Sequence, residues 1–146
     1  MKLSSGAFAH LQVIARTHTC DGGDSHPPLS ISDVPEETKS LVLIVDDPDA
    51  PNGVWLHWLL WNIDPKTTTI QESSIPEGAV EGMTDFGRVG YGGPCPPSGT
   101  HRYFFRLFAL DTALSLARGA SRTELERAME GHIVDSAELI GLYARS

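Results

Sequence analysis

The stretch Leu41-Val42-Leu43-Ile44-Val45, followed by Asp46-Asp47-Pro48-Asp49-Ala50-Pro51, is the part of the sequence that decides the fold. An uninterrupted run of Leu and β-branched residues has the length of a strand, and no polar residue marks a solvent-facing side. We therefore predict a central strand that is covered on both faces. Because Pro48 restricts Asp47 to extended dihedral angles, we expect the chain to turn here with Asp47 at the mouth of the sheet.

Two further segments have the pattern of strands. Residues 54–62 are apolar on both alternating faces, and His57 is the sole polar residue before the last position. Residues 101–110 alternate with a period of two, which places His101 and Tyr103 on the same face. Both segments therefore bring a histidine into a strand rich in apolar and aromatic residues.

One helix is predicted near the C-terminus. Ser121-Arg122-Thr123-Glu124 is a capping box, in which the serine oxygen and the glutamate side chain satisfy free backbone N–H groups. An apolar stripe at helical spacing follows it, formed by Leu125, Ala128, Met129, His132 and Ile133. For residues 137–143 the pattern fits a helix or a strand, and we favour a short terminal strand because Gly141 weakens a helix.

The composition indicates a single globular domain spanning residues 1–146. The chain has 146 residues, of which 40% are hydrophobic and 21% charged, and its 14 glycines and 10 prolines predict many turns between short strands. With 11 Lys and Arg against 19 Asp and Glu, the net charge is −8, which repels a phosphate backbone. We therefore expect no nucleic-acid partner.

Neither a membrane span nor a secretory signal is predicted. The longest apolar stretch, around residues 55–61, is interrupted by His57, and no apolar region follows the basic N-terminal residue. We therefore expect a cytoplasmic protein. The two cysteines, Cys20 and Cys95, are too few for a disulfide framework, so we interpret them as reduced thiols, with a bridge between them as the alternative.

Asp47 and His57 each allow two interpretations. Asp47 either caps its turn by accepting backbone N–H groups or faces a pocket at the rim of the sheet. His57 is either a core histidine satisfied by a backbone carbonyl or a ligand-binding group at the floor of a cleft. The second histidine, His101, and the phenol of Tyr103 favour the cleft, because two imidazoles and a phenol can donate to an oxyanion.

The loop of residues 90–99 is rich in both glycine and proline. The prolines make it stiff, and Gly92 and Gly93 allow a ligand to approach closely, so the loop suits the wall of a binding site. Its backbone N–H groups could also form an anion nest. Gly93-Pro94 is a candidate cis peptide bond.

Several segments together carry a resemblance to one family. They are Asp47-Pro48-Asp49-Ala50-Pro51, His57-Trp58, Gly92-Gly93-Pro94-Cys95-Pro96-Pro97 and His101-Arg102-Tyr103, with further matches at Thr19-Cys20-Asp21-Gly22, Pro27-Pro28-Leu29, Tyr91-Gly92-Gly93 and residues 138–145. Over residues 6–145 the sequence resembles the phosphatidylethanolamine-binding protein family, in its prokaryotic Raf-kinase-inhibitor-like branch. Two positions depart from this pattern: His26 precedes Pro27-Pro28, and Thr84 precedes Asp85-Phe86-Gly87. We expect both to change loops around the site rather than abolish it.

The resemblance implies a β-sandwich with Greek-key connections, a short C-terminal helix and a small anion-binding cavity at one end of the sheets. Family members bind phosphate-type groups there, including phosphoethanolamine head groups, and some regulate kinases or inhibit proteases. Carried over to this sequence, the ligand-binding residues are Asp47, Pro48, His57, Gly93, Pro94, His101 and Tyr103, with Tyr91 near the entrance and Tyr143 also assigned to the site.

Three functions are open at this stage. The first is a non-catalytic binding or regulatory protein for phosphate-like anions or phospholipid head groups, without a cofactor or a metal. The second is a hydrolase that uses Asp47, His57 and His101, directly or around a metal, although no hydrolase motif supports it. The third is an interaction module that inhibits a kinase or a protease independently of the pocket. A homodimer is also open, because the tryptophans of residues 55–61 suit either an interface or a strand core.

Overall fold

Strands dominate the structure, a computed structural model that describes residues 1–145. A short 3₁₀-helix, Arg16–His18, follows the second strand. The other elements are β1 (Lys2–Ser4), β2 (Gln12–Val13), β3 (Leu29–Ser32), β4 (Ser40–Asp47), β5 (Trp55–Ile63), β6 (Thr69–Ile70), β7 (Val80–Glu81), β8 (His101–Leu110), α1 (Arg122–Met129) and β9 (Ile133–Tyr143). The predicted mainly-β class with one short helix near the C-terminus is confirmed, and the favoured terminal strand forms as the second half of β9.

The strands form two sheets that pack face to face. The smaller sheet has the order β1-β3-β6, and the larger has the order β2-β9-β8-β4-β5-β7. β4 and β5 form an antiparallel hairpin, and β8 then returns to pair with the opposite side of β4. The strands β4, β5 and β7 are neighbours in this order, and β8 returns to lie beside β4, which is a Greek-key connection. The predicted sandwich is therefore confirmed.

β4 lies at the centre of the larger sheet and is covered on both faces, as its apolar run predicts. Leu41, Leu43 and Val45 pack in the cluster that also contains side chains of the smaller sheet. Val42 and Ile44 belong to the second cluster, on the side of α1. All of them are buried, because the smaller sheet covers one face and α1 with the segment before it covers the other.

β5 does not keep the regular alternation of a strand, because its register against β4 shifts twice. Val45 is paired with Trp58 and Asp46 with Leu56, so His57 is an extra residue on β5, in a β-bulge. Leu56 packs on the helix side of the sheet, whereas Trp58 packs between the two sheets. Leu56 and Trp58, which would share a face in a regular strand, therefore lie on opposite faces because of the bulge at His57.

The second register shift in β5 lies near Asn62. This residue has a φ of 55°, a conformation that Asn tolerates better than most residues. Its side-chain amide donates to the Leu114 carbonyl at 2.7 Å and accepts from the Leu114 N–H at 2.8 Å. The side-chain amide thereby pairs with the backbone of Leu114 as a neighbouring strand would, and it fixes the segment that leads to α1.

The capping box predicted for α1 is present: the Ser121 side chain accepts from the Glu124 N–H, and the Glu124 carboxylate accepts from the Ser121 N–H. The predicted apolar stripe is wrong at its end. The helix stops at Met129, because Gly131 adopts a φ of 78° and turns the chain. Ile133 then begins β9 and is exposed rather than packed under the helix.

Two predictions about covalent geometry are wrong. Cys20 and Cys95 form a disulfide, because the loop that contains Cys20 lies against the loop of residues 90–99 and brings the two Cα atoms to 5.4 Å. The Gly93-Pro94 bond is trans, the isomer that an X-Pro bond favours unless its surroundings demand otherwise.

Within residues 1–145, no helix has the length and hydrophobicity needed to cross a membrane.

Replacing Asn62 tests whether its paired hydrogen bonds hold the second bulge. We expect Asn62→Ala to lower the free energy of unfolding by about 2–4 kcal/mol, because it removes two hydrogen bonds and leaves a strained backbone. Asn62→Gly loses the same hydrogen bonds but relieves the strain, so it should cost about 1 kcal/mol less. Urea titration measures all three proteins.

Ser73→Ala is the matched control for this prediction. Ser73 also has a positive φ, 62°, but its side chain makes no hydrogen bond to any residue from 1 to 145. We expect a change below about 0.5 kcal/mol. Equal losses for Asn62→Ala and Ser73→Ala would show that the Asn62 amide does not stabilise the bulge.

Candidate functional site

Asp47 is the last residue of β4 and faces the space between the two sheets. Its Oδ1 accepts from the Asp49 N–H at 2.8 Å, and its Oδ2 accepts from His101 Nδ1 at 2.6 Å. Both interpretations of Asp47 therefore hold together, since one oxygen caps the turn and the other orients an imidazole. A carboxylate at Nδ1 fixes the proton on that nitrogen of a neutral His101 and leaves Nε2 for a ligand.

The neighbouring Asp46 points to the opposite face, as strand alternation requires. Its carboxylate pairs with Arg106 at 3.1 Å and with Arg122 at 2.9 Å, on the side of α1. Asp46 therefore ties the helix to the larger sheet.

His57 reaches the face of Asp47 because of the bulge in β5. Its Nδ1 donates to the Gly92 carbonyl at 2.6 Å, and the Gly92 N–H donates to the His57 carbonyl at 3.0 Å. The side chain is only 3% exposed, and burial lowers the pKa of His57, although the Gly92 carbonyl and the charge of Asp47 oppose this effect. The backbone-satisfied histidine is thus observed, and its Nε2 is still free to meet a ligand.

His101 and Tyr103 lie on the same face of β8, as their spacing predicts. Their ring centroids are 6.4 Å apart in a stacked arrangement, and the Tyr103 ring meets the His57 ring edge-on at 5.3 Å. Tyr103 is 1% exposed, and its hydroxyl has no hydrogen-bond partner among residues 1–145. Burial raises the pKa of Tyr103, so the phenol stays protonated.

These four side chains line one cavity of about 110 Å³ at the end of the sheets. The remaining lining residues are mostly apolar and comprise Ala50, Pro51, Trp55, Phe86, Cys95, Pro96 and Pro97. The cavity thus has a polar floor of two imidazoles, one carboxylate and one phenol, and an apolar wall. The wall residues were not assigned to the site from sequence, although Cys95-Pro96-Pro97 lies inside a segment that carries the family resemblance.

The other predicted site residues do not line the cavity: Pro48, Tyr91, Gly93, Pro94 and Tyr143. Four of them form hydrogen bonds with the loop of residues 18–24, and the partner of Gly93 is Asp24. The Tyr91 hydroxyl donates to the His18 carbonyl at 2.6 Å, the Pro94 carbonyl accepts from the Cys20 N–H at 3.1 Å, and the Tyr143 hydroxyl donates to Asp21 at 2.7 Å. These residues therefore hold the loop around Cys20 in place instead of lining the cavity.

Two backbone N–H groups of the loop are not available for the predicted anion nest. The Gly92 N–H donates to the His57 carbonyl, and the Gly93 N–H donates to the Asp24 carboxylate at 2.7 Å. Neither amide is therefore free for a ligand. A Cβ atom at Gly93 would come within 2.4 Å of the His18 carbonyl oxygen, so a close approach between two loops explains this glycine.

The two departures from the family pattern lie near the site but outside the cavity lining. His26 is buried and stacks on Trp58 with ring centroids 4.5 Å apart. The Thr84 hydroxyl donates to the Arg88 carbonyl at 2.8 Å and accepts from the Phe86 N–H at 3.2 Å. Thr84 therefore holds the turn that presents Phe86 to the cavity.

Next to His101, Arg102 forms a bidentate ion pair with Asp49. Two guanidinium nitrogens and the backbone N–H of Arg102 each donate to this carboxylate at 2.9 Å. The guanidinium lowers the pKa of Asp49 to about 2, so the pair stays ionised. Because its charge is neutralised at close range, Arg102 supplies little positive potential to the cavity.

The protonation states decide what the cavity can bind. With Nδ1–H fixed on both imidazoles, a neutral His57 or His101 presents Nε2 as an acceptor, and only the protonated ring presents an N–H donor there. The expectation of two imidazole donors therefore applies to the protonated forms. Among residues 1–145, no group of three or more His, Cys, Asp or Glu side chains is arranged to hold a metal ion.

The comparisons with known proteins agree with this fold. The sequence profile of the phosphatidylethanolamine-binding protein family matches residues 4–144. A UPF0098 protein of Methanothermobacter thermautotrophicus is 53% identical and is covered over 99% of both chains. A UPF0098 protein of Chlamydia trachomatis is 44% identical, also over 99% of both chains.

Two solved structures are also similar. One is a crystal structure from Chlamydia trachomatis of CT736, assigned as a homologue of phosphatidylethanolamine-binding proteins; it has a TM-score of 0.96 and 43% identity, and covers 99% of this chain and 97% of that one. The other, Escherichia coli YbcL, is described as a member of the mammalian family, with a TM-score of 0.92 and 32% identity over 99% of this chain and 98% of that one. Agreement of this extent in both sequence and fold shows that the chain belongs to the phosphatidylethanolamine-binding protein family.

Proposed function

We propose that the cavity binds a small phosphate-like anion, free or as the phosphate of a head group such as phosphoethanolamine, and that the protein is a non-catalytic binding or regulatory protein. One observation carries the proposal. The Tyr103 hydroxyl is buried and has no hydrogen-bond partner among the described residues, and the Tyr103 ring packs against both imidazoles. A buried hydroxyl without a partner is costly, and an anion oxygen would satisfy it.

The size of the cavity supports a compact ligand. A volume of about 110 Å³ has room for one tetrahedral anion but not for a phospholipid. Any organic group esterified to that anion would lie outside the floor, against apolar residues such as Trp55 and Pro97. The polar floor then selects the charge, and the wall contacts the remainder of the ligand.

The geometry supports binding better than covalent hydrolysis. The Asp47–His101 pair resembles a carboxylate that orients a general base, but a covalent mechanism also needs a nucleophile. No Ser or Thr lines the cavity, and the sulfur of Cys95 is already bonded to Cys20. The same residues are therefore better suited to holding an anion than to forming a covalent intermediate.

Regulation of a kinase or protease partner forms the second part of this proposal. Val54 and Trp55 are exposed, and Trp55 also lines the cavity, so a partner that contacts these residues would sense the bound anion. Trp58 and Trp61 are fully buried, and the strand core explains them without a dimer interface. A pull-down with and without phosphoethanolamine tests this part, since pocket control requires a partner set that changes with the ligand.

The pH dependence of anion binding tests the roles of the imidazoles. Burial lowers the pKa of His57, so this ring is neutral at pH 7 in the free protein, whereas a bound anion favours the imidazolium. Binding should therefore take up a proton, and affinity should rise by up to about tenfold per pH unit as the pH falls from 7 towards the lowered pKa. Sulfate is the best probe, because its own charge is constant over this range.

Titration calorimetry of sulfate in two buffers of different ionisation enthalpy measures both the affinity and the protons taken up. His57→Gln should weaken sulfate binding about tenfold or more and reduce proton uptake, because it removes the titrating group. His132→Gln is the control, since this exposed histidine pairs with Asp111 away from the cavity. Sulfate binding that is independent of both pH and His57 would reject the assigned site.

Tyr103 and Tyr91 form a matched pair for separating stability from binding. Tyr103→Phe removes a buried hydroxyl that has no partner, so it should leave the free energy of unfolding unchanged or raise it by about 1 kcal/mol, while weakening sulfate binding several-fold. Tyr91→Phe removes a hydroxyl that donates to the His18 carbonyl, so it should lower stability by about 1 kcal/mol and spare binding. Urea titration and calorimetry of each variant check both expectations, and the reverse pattern would contradict the proposal.

A further inference from the structure

The disulfide between Cys20 and Cys95 joins two loops at the edge of the cavity. Cys95 lines the cavity, and Cys20 lies in the loop that follows the 3₁₀-helix. Both cysteines are exposed, unlike the buried polar residues around them. The bond is therefore a covalent link between the cavity wall and the protein surface.

The wall next to this bond lacks hydrogen bonds. The preceding residues are anchored, because the Gly93 N–H donates to Asp24 and the Pro94 carbonyl accepts from the Cys20 N–H. By contrast, residues 95–100 make no hydrogen bond to any residue from 1 to 145. The next anchor is His101, at the start of β8. The disulfide and the packing of the buried Pro96 are thus the restraints on the wall segment, defined here as residues 95–100.

The exposure of both cysteines, one of which also lines the cavity, places this bond where an attacking thiolate can approach it. Thiol–disulfide exchange requires that the attacking sulfur reach one sulfur of the bond, and exposed disulfides are the ones that usually take part in it. A dithiol reductant attacks one cysteine, forms a mixed disulfide and releases the other cysteine as a thiolate. Its second thiol then resolves the mixed disulfide, so two cysteine thiols form here while the reductant is oxidised to its own disulfide.

We propose that Cys20–Cys95 is a thiol–disulfide exchange site for dithiol reductants and that its reduction releases the wall segment and weakens anion binding in the cavity. The second half of this inference rests on the proposed function. Loss of the bond frees Cys95, Pro96 and Pro97, which are three of the lining residues, from their covalent anchor. The polar floor stays in place, because Asp47, His57 and His101 are held by β4, β5 and β8.

The coupling must act in both directions. If reduction weakens sulfate binding by some factor, sulfate must shift the thiol–disulfide equilibrium towards the oxidised form by the same factor. For a wall that closes one side of a small cavity we expect a factor of about ten, within the usual range of coupling between two sites. This reciprocity separates a true coupling from damage to the protein.

The experiment compares the oxidised protein, the protein reduced natively with dithiothreitol, and the double variant Cys20→Ser/Cys95→Ser. Sulfate affinity is measured by calorimetry, and backbone mobility by hydrogen exchange with mass spectrometry. We expect reduction and the double variant each to weaken sulfate binding about tenfold, with faster exchange in the wall segment and unchanged exchange in β4. Dithiothreitol should have no effect on the double variant, which controls for the reagent.

The outcomes distinguish this inference from the proposed function. Resistance of the bond to native reduction, or equal sulfate affinity in the oxidised and reduced proteins, would overturn the inference. Absence of sulfate binding in the oxidised protein would overturn the proposed function and the coupling with it, whereas the exchange site would still be supported by native reduction with faster exchange in the wall segment. If the double variant fails to fold, the natively reduced protein with its β4 exchange pattern provides the test.

Discussion

The extra residue in β5 is the constraint on which both the core and the site depend. In a regular strand, His57 would share its face with Leu59 and Trp61, which pack towards α1. Because His57 is the extra residue against β4, its side chain turns instead to the face of Trp58, towards the smaller sheet. One local irregularity thus places Leu56 in the core beside α1 and an imidazole beside Asp47. Bulges commonly serve to aim a side chain in this way.

Around this bulge most of the buried polar groups of the cavity floor are held by hydrogen bonds to one another. Asp47 accepts from His101 and from its own turn, and His57 and Gly92 exchange two hydrogen bonds. Each of these contacts fixes a rotamer as well as a proton position. The Tyr103 hydroxyl has no partner among residues 1–145, and its ring packs against both imidazoles. A polar cluster that leaves this hydroxyl and the Nε2 atoms of His57 and His101 without protein partners is organised for a ligand rather than for stability alone.

The sequence could predict those features that depend on local pattern. The apolar run of β4, the alternation of β8 and the capping box at Ser121 are each set by residues within a few positions of one another, and the structure has all three. The bulges could not be predicted, because they depend on the register between β5 and a distant partner. The end of α1 was missed because a single glycine, Gly131, overrode a stripe of apolar residues.

In the site, too, features set by local sequence could be predicted and features set by long-range contacts could not. Asp47, His57, His101 and Tyr103 could be placed on strands from their spacing, and they meet in one cavity. The roles of Tyr91, Gly93 and Tyr143 were harder to predict, because each contacts the loop around Cys20, more than 60 residues away in sequence. The Cys20–Cys95 disulfide spans 75 residues and belongs to the same long-range contact. Two cysteines far apart carry no local signal of their distance in space.

The source of positive charge is the last physical requirement of an anion site in a chain with a net charge of −8. Arg102 is neutralised by Asp49, and Arg106 and Arg122 share the carboxylate of Asp46 on the other side of the sheet. No Lys or Arg lines the cavity, so the imidazoles on its floor are the lining groups that can carry a positive charge, in their protonated form. Since burial keeps His57 neutral when the cavity is empty, the favourable charge develops together with the bound anion rather than before it. Such a site avoids the cost of a permanent buried cation, and in consequence its affinity is tied to the proton concentration around it.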